Sequence, residues 1–194
     1  RSTMKDYLLL FLISLLPVVL SAVIYLSQRT KTAEKIPYAV QQLIIGILFG
    51  ILAITGTEFG IRIDGAIINA RDASPICAGL LFGAPAGIIA GVIGGVERWF
   101  AVLWGAGAYT RLACSISTVL AGVFAAALRK HVFDNKKPKW YYCLATAVIM
   151  EVVHMLMIFL TNMTDAHRAF SFVRACSLPM VAVNGLAVML AGIF

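Results

Sequence analysis

The sequence predicts an all-α membrane protein, a polytopic bundle of about six to seven transmembrane helices with close packing at glycines. Three observations predict it: 61% of the 194 residues are hydrophobic and only 13% are charged, long apolar segments recur, and glycines are regularly spaced. An ordinary soluble domain has about 25% charged residues. A globule of this size could not bury so much apolar side chain, which excludes a soluble enzyme, a nucleic-acid-binding domain and a disordered linker.

Seven apolar segments are long enough to cross a bilayer, which takes about 20 helical residues. They are residues 8–26, 38–55, 66–82, 85–104, 111–128, 141–160 and 174–194. Pro85 suits the first turn of the fourth helix, where its missing N–H is not needed. We treat residues 1–194 as one domain, with the first span and a basic loop at 1–37 and the core at 38–194. Arg1, Ser2 and Thr3 precede Met4 and are interpreted as non-native.

Basic residues account for the net charge of +7 and concentrate in two loops, 29–35 and 129–139. Loops rich in lysine and arginine face the cytoplasm. Four predicted crossings separate the two loops, so both can lie on that side. The N-terminus is then outside and the C-terminus inside, and segments 56–64, 105–110 and 161–173 face outward. The last predicted span reaches the final residue, which suggests the membrane part of a longer protein.

Four widely spaced cysteines, Cys77, Cys114, Cys143 and Cys176, lie in or beside apolar segments. Without a Cys-x-x-Cys or Cys/His pattern they predict buried thiols, and neither a disulfide framework nor a metal site. The sequence shows no glycine-rich phosphate loop and no arrangement typical of a catalytic triad. We therefore predict no cofactor and no catalysis within this chain.

Glycines recur every four residues along the third and fourth spans, at Gly79, Gly83, Gly87, Gly91 and Gly95. Small residues at this spacing let helix backbones approach closely in a bilayer, where lipid supplies no hydrophobic drive for helix association. Their predicted role is packing.

Ionisable side chains at membrane depth are costly and mark functional sites. Arg71 and Arg98 lie at similar depth in neighbouring predicted spans, where two guanidiniums would repel each other unless an anion intervenes. Asn69 and Ser117 could add hydrogen bonds, and Cys114 shares a helix face with Ser117 because the two are three residues apart. The arrangement predicts a pocket for a small anion.

Two alternatives remain open at this stage. Carboxylates could neutralise both arginines in a closed network, or Arg98 could reach the outer interface beside Trp99 and Trp104. The candidate carboxylates are Asp64, Asp72, Glu97 and Glu151. Glu151 is a site candidate because a mid-span carboxylate must be protonated, paired or hydrated. His154, three residues later, is more typical of an ordinary interior histidine. Asn184, which follows Pro179 in the last span, is a further candidate ligand-binding residue.

These residues form an ordered set of motifs: Asn69-Ala70-Arg71, the segment GLLFG at 79–83, Arg98-Trp99 and CSIST at 114–118. Glu151, Pro179-Met180 and Asn184 follow. The set resembles the membrane sensor of LytS-type receptors, the five-transmembrane 5TMR-LYT family, over about residues 56–184. Two departures are Gly83-Ala84-Pro85 in place of Gly-Pro and Gly105-Ala106-Gly107 in place of a Gly-Gly turn.

The resemblance implies a sensor in the bacterial cytoplasmic membrane, linked covalently to a cytoplasmic histidine kinase or diguanylate cyclase. It implies a small carboxylate stimulus such as pyruvate, contacted by Arg71, Arg98, Cys114 and Ser117. The expected partners are the bilayer, the small anion, the output domain and a second copy in a homodimer, but no nucleic acid. The alternatives are a substrate-binding subunit of a vitamin or metabolite importer and a packing scaffold without ligand.

Overall fold

The computed structural model describes residues 3–63 and 66–194 and shows a bundle of helices. Arg1, Ser2 and the candidate counter-ion Asp64 lie outside the described residues. Among the described residues, six helical segments are long and apolar enough to cross a membrane, which confirms the predicted fold class. They are Met4–Ser27, Tyr38–Glu58, Ala84–Trp104, Arg111–His131, Trp140–Thr161 and Met163–Ile193.

The first of these segments is a pair of helices, α1 (Met4–Ser14) and α2 (Leu16–Ser27). The break between them coincides with a proline in the first turn of α2, a position that needs no backbone N–H. The other long helices are α3 (Tyr38–Glu58), α5 (Ala84–Phe100), α6 (Arg111–His131), α7 (Trp140–Thr161) and α8 (Ala166–Ile193).

The predicted third spanning helix, residues 66–82, is wrong. Two short antiparallel strands, β1 (Ile61–Ile63) and β2 (Ala66–Ile68), pair with Ile61 opposite Ile68. The helix then begins only at α4 (Ala73–Cys77), continuing in π-helical form over Ala78–Phe82, and all ten of its residues are buried. The apolar run reflects burial inside the protein rather than contact with lipid. Irregular backbone at membrane depth is tolerated only in such protein-enclosed places.

This buried segment nevertheless passes along the length of α3. Its start lies beside the C-terminal part of α3, where a side chain on Gly56 would meet the Arg71 backbone. Its end lies near the N-terminal part of α3, where Gln42 Nε2 donates to the Phe82 carbonyl over 2.9 Å. The chain therefore still turns back before α5. In agreement, the two basic loops meet at one end of the bundle. The Arg29 guanidinium carbon and the Lys137 ammonium lie 4.5 and 5.6 Å from the centroid of the same Tyr25 ring.

Gly83 forms the break between the buried segment and α5. Its φ of +149° is a conformation that favours glycine. A Cβ at this position would also overlap the Gln42 amide. That amide bridges the break, since Gln42 Oε1 accepts from the Ala86 N–H at 3.1 Å.

The other glycines of the ladder lie between helices. Gly91 and Gly95 face α6, where added Cβ atoms would meet the Thr118 carbonyl and Val119. A Cβ on Gly87 would overlap the Gly79 backbone of the buried segment and also meet the Gly122 carbonyl of α6. Gly79, on the buried segment, faces Ala125 of α6. The α5–α6 contact is thus a close approach of two backbones, and it carries polar residues of both helices into the same interior.

The last helix, α8, begins at Ala166, eight residues before the predicted start at residue 174. Much of the predicted outer loop 161–173 is therefore helical. The Asp165 side chain caps the helix by accepting from the Arg168 N–H at 3.2 Å, which satisfies one free donor of the first turn. Hydropathy placed the boundary too late because His167, Arg168 and Ser171 interrupt the apolar residues in this first part of α8.

Candidate functional site

A group of fully buried polar side chains lies inside the bundle, between the start of the buried segment and helices α5 to α8. Each is at most 1% exposed: Asn69, Arg71, Asp72, Arg98, Ser117, Thr118, Glu151, His154 and Asn184. Buried polar groups are expensive unless they find partners. A side chain whose polar atoms all have protein partners therefore has a structural role, whereas one with free polar atoms is able to bind a ligand.

Arg71 is held by protein groups. Its Nε donates to Thr118 Oγ1 over 2.5 Å and lies 3.4 Å from Asp72 Oδ1. Its Nη1 donates to Thr57 Oγ1 over 3.3 Å, and its Nη2 donates to the Cys114 carbonyl over 3.5 Å. For Arg71, the predicted alternative of a closed network therefore applies in large part.

Asp72, His154 and Cys114 form a hydrogen-bonded row. Asp72 Oδ2 lies 2.9 Å from His154 Nδ1, and His154 Nε2 lies 3.2 Å from Cys114 Sγ. The other Asp72 oxygen accepts from Thr118 Oγ1 at 2.7 Å. An aspartate that accepts from Nδ1–H leaves Nε2 free to accept the thiol proton. The carboxylate thus orients the imidazole toward the sulfur.

Glu151 lies beside this row, with Oε2 at 3.9 Å from His154 Nδ1. Neither carboxylate oxygen has a hydrogen-bond partner among the described residues. Asp72, Glu151 and His154 are close enough to ligate one metal ion, a grouping that the sequence does not predict. Arg71 already places a positive charge against Asp72, which disfavours a metal ion there.

Arg98 differs from Arg71. Its Nη2 donates to the Gly107 carbonyl over 2.7 Å and to Thr110 Oγ1 over 3.2 Å. Its Nε and Nη1 are buried and have no hydrogen-bond partner in residues 3–63 and 66–194. Across the same residues, no carboxylate lies within 4.0 Å of its guanidinium.

The predicted alternative in which Arg98 reaches the interface is wrong, because its side chain is fully buried. Arg111 contacts the aromatic surface instead, with its guanidinium carbon 4.0 Å from the Trp99 ring centroid. Glu97 forms no ion pair with either arginine in the part of the chain that the structure describes.

Cys114 and Ser117 lie on α6 in this interior. Cys114 interacts electrostatically with Arg71, Arg98 and His154. Ser117 Oγ is buried without a hydrogen-bond partner among the described residues. The structure thus brings three of the predicted ligand residues, Arg98, Cys114 and Ser117, into one region with unsatisfied polar atoms.

Asn69 and Asn184 are occupied by backbone groups. Asn69 Oδ1 accepts from the Arg71 N–H at 3.1 Å. Asn184 Oδ1 accepts from the Ala73 N–H at 2.9 Å, and its Nδ2 donates to the Asn69 carbonyl over 3.0 Å. Asn184 therefore forms hydrogen bonds with backbone groups before and after the Arg71-Asp72 pair. These bonds link this irregular segment to α8.

Replacing Asn184 with leucine is expected to lower the free energy of unfolding by about 1–3 kcal/mol, because two buried backbone groups lose their partners. Thermal unfolding of the detergent-solubilised chain measures the effect. Asn162→Ala, at a half-buried asparagine outside the site, is the matched control and should change stability less. Equal stability of wild type and Asn184→Leu would show that the hydrogen bonds of Asn184 to Ala73 and Asn69 do not stabilise the fold.

Two residues of the row have only minor roles in the sequence prediction. The sequence predicts Asp72 only as a possible counter-ion and His154 as an ordinary interior histidine. The adjacency of Asp72 to Arg71 and the three-residue spacing of Glu151 and His154 were the available signals. The row itself was not visible, because Asp72, Cys114 and His154 come from three elements far apart in sequence.

Comparison with known proteins identifies a family and several relatives for this chain. A family model described as the 5TMR of 5TMR-LYT matches residues 24–194, which include all the site residues. The chain is 26% identical over 139 residues to the sensor histidine kinase YpdA of Escherichia coli K12, covering 72% of the chain. It is 31% identical over 144 residues to the sensor histidine kinase BtsS of the same organism, covering 71% of the chain.

The aligned region is 24% of the length of each of these relatives, so the chain corresponds to about a quarter of either kinase. No solved structure matches the chain.

Proposed function

Because the chain belongs to the 5TMR-LYT family, we propose that it is the membrane sensory domain of a bacterial receptor that detects a small carboxylate. In this proposal Arg98 is the principal anchor for the carboxylate. Arg71, Cys114 and Ser117 complete the surroundings of the ligand. A cytoplasmic histidine kinase would receive the signal, by analogy with the two sensor histidine kinases that the chain resembles.

The unpaired Arg98 guanidinium is the observation that carries the proposal. Leaving buried donors unsatisfied costs about 1–3 kcal/mol per group, more when the group is charged. A carboxylate oxygen is a suitable acceptor for such a donor, because a charge-assisted hydrogen bond is about twice as strong as a neutral one. It would also supply the negative charge that Arg98 lacks, since Asp72 serves Arg71 and His154.

Small ligand size follows from the surroundings. The Arg98 side chain is fully buried, and Gly107 and Thr110 already accept from its Nη2. A ligand that reaches Nε or Nη1 must fit between the close-packed helices α5 and α6. A carboxylate of a few carbon atoms, such as pyruvate, suits this position.

We further propose that both basic loops face the cytoplasm, as the distribution of lysine and arginine favours. The site would then lie toward the external side and receive its ligand from outside. Asn184 connects the segment beside Arg71 to α8, which makes α8 the candidate element for transmission. The ligand must bind the two signalling states with different affinity, because otherwise it shifts no equilibrium.

The Arg98→Ala variant is expected to bind pyruvate at least about 100-fold more weakly than wild type, equivalent to about 3 kcal/mol for lost charge-assisted hydrogen bonds. Calorimetric titration of the solubilised chain measures the affinity. Arg174→Ala removes an exposed arginine of α8 and should leave the affinity for pyruvate unchanged. Unaltered affinity in Arg98→Ala, or failure of wild type to bind any small carboxylate, would refute the proposal.

The receptor is favoured over an importer subunit by the two relatives described above, which are both sensor histidine kinases. A packing scaffold without ligand is disfavoured by the buried, unsatisfied donors of Arg98, because packing alone would select an apolar residue there.

A further inference from the structure

We propose that Cys114 captures the ligand covalently and reversibly, by adding to the ketone of a 2-oxo acid to form a hemithioketal. This inference rests on the proposed function, since the carboxylate of the same ligand is held by Arg98. It adds a specific chemistry: the domain would select an electrophilic carbonyl next to the carboxylate, rather than a carboxylate alone.

The geometry that carries the inference is the row Asp72–His154–Cys114. The two distances, 2.9 Å from Asp72 Oδ2 to His154 Nδ1 and 3.2 Å from His154 Nε2 to Cys114 Sγ, are hydrogen-bond lengths. A nucleophile, a base within hydrogen-bond reach and a third group that orients the base are the parts of an activated nucleophile. A cysteine with a purely packing role needs no such partners.

Positive charge around the sulfur supports the same role. Arg71, Arg98 and His154 all interact electrostatically with Cys114. Cysteines that act as nucleophiles are typically found in electropositive surroundings of this kind. The same arginines attract the carboxylate of the ligand, so the anchoring group and the nucleophile lie in one region.

The other cysteines lack this environment. Cys77, Cys143 and Cys176 are also buried free thiols, but no histidine is hydrogen-bonded to any of them among the described residues. Cys143 packs against Gly192 near the start of α7, away from both arginines. It therefore provides a matched control.

The proposed step is an addition that needs no oxidant or reductant. The thiol proton passes to His154 Nε2, while Asp72 holds Nδ1–H. A sulfur electron pair forms the S–C bond to the carbonyl carbon, and the π electrons of the C=O bond move to oxygen. That oxygen then takes the proton from His154 Nε2. The reverse sequence releases the ligand unchanged, as a sensor requires.

Carbon-13 NMR of [2-13C]pyruvate bound to this chain tests the inference directly. We expect the ketone carbon signal to be replaced, in the bound state, by that of a tetrahedral carbon carrying sulfur and oxygen. Cys114→Ala should retain a ketone signal and bind at least about tenfold more weakly, a loss of about 1.4 kcal/mol. Cys143→Ala should form the adduct as wild type does.

A measurement on the wild-type chain alone avoids any dependence on the folding of variants. Pyruvate should bind at least about tenfold more tightly than lactate or propionate, which have a carboxylate but no ketone. Thermal unfolding of Cys114→Ala establishes whether that variant is folded under the NMR conditions.

The outcomes separate the inference from the proposed function. If pyruvate binds to wild type but keeps its ketone signal, covalent capture is wrong and carboxylate sensing stands. The same conclusion follows if lactate and propionate bind as tightly as pyruvate. If none of the three carboxylates binds, the proposed function and the inference both fail.

Discussion

Replacing Asp72 with asparagine is expected to lower the free energy of unfolding by about 3–5 kcal/mol, because the change leaves the Arg71 guanidinium buried without its counter-charge. Asparagine keeps the size of the side chain, so the effect reports on charge rather than on a cavity. Asp72 also faces His154, at 2.9 Å, and the loss of both interactions makes this one of the largest effects expected. Unfolding of the solubilised chain in a denaturing detergent measures it.

A double variant tests the cause of that loss. Arg71→Gln together with Asp72→Asn removes both charges, and it should be more stable than the sum of the two single effects predicts. Glu34→Gln, at an exposed acidic residue in the first basic loop, serves as the control and should change stability by less than about 0.5 kcal/mol. Strict additivity of the two site substitutions would contradict an Arg71–Asp72 pairing.

Replacing Gly122 with alanine is expected to destabilise the domain by about 3 kcal/mol, the upper part of the usual range for overpacking. A Cβ at this position would overlap the Gly87 carbonyl and lie 3.0 Å from the Gly91 Cα. These are backbone atoms of α5, so no side-chain rotation can relieve the contact and the two helices must separate. Because Arg98 and Cys114 lie on these helices, pyruvate affinity should fall as well.

Gly185→Ala is the matched control, since it makes the same change within a long helix. Its Cβ would meet only Leu144 and Val148 side-chain atoms, at 3.4 and 3.8 Å, which are ordinary contact distances. This variant should be as stable as wild type or slightly more stable, because alanine favours helix over glycine by about 1 kcal/mol. Equal effects of the two substitutions would contradict the close α5–α6 approach. Thermal unfolding compares them.

The general architecture could be predicted from the sequence because apolar runs and glycine spacing are local signals. The family match over residues 24–194 confirms the predicted resemblance, and six predicted spans correspond to observed membrane-length segments. The third was mistaken for a spanning helix, since hydropathy alone does not distinguish burial in protein from burial in lipid. All residues of the segment Ala73–Phe82 are buried in the protein, yet its apolar composition resembles that of a helix that faces lipid.

The candidate site was predictable only in part. Arg71 and Arg98 attract attention because charge is rare in such a chain, and both lie in the buried interior. Their different roles could not be predicted, because the partners of Arg71 come from α3, α6 and its own neighbour Asp72. The Asp72–His154–Cys114 row depends on side-chain distances across residues up to 82 positions apart, for which one sequence contains no signal.

An experimental structure of the domain with bound pyruvate tests the central claim most directly. The account predicts a carboxylate oxygen within hydrogen-bond distance of Arg98 Nε or Nη1, with Arg71 still paired to Asp72. A ligand bound elsewhere in the bundle, or an Arg98 guanidinium paired with a protein carboxylate while pyruvate is present, would contradict it.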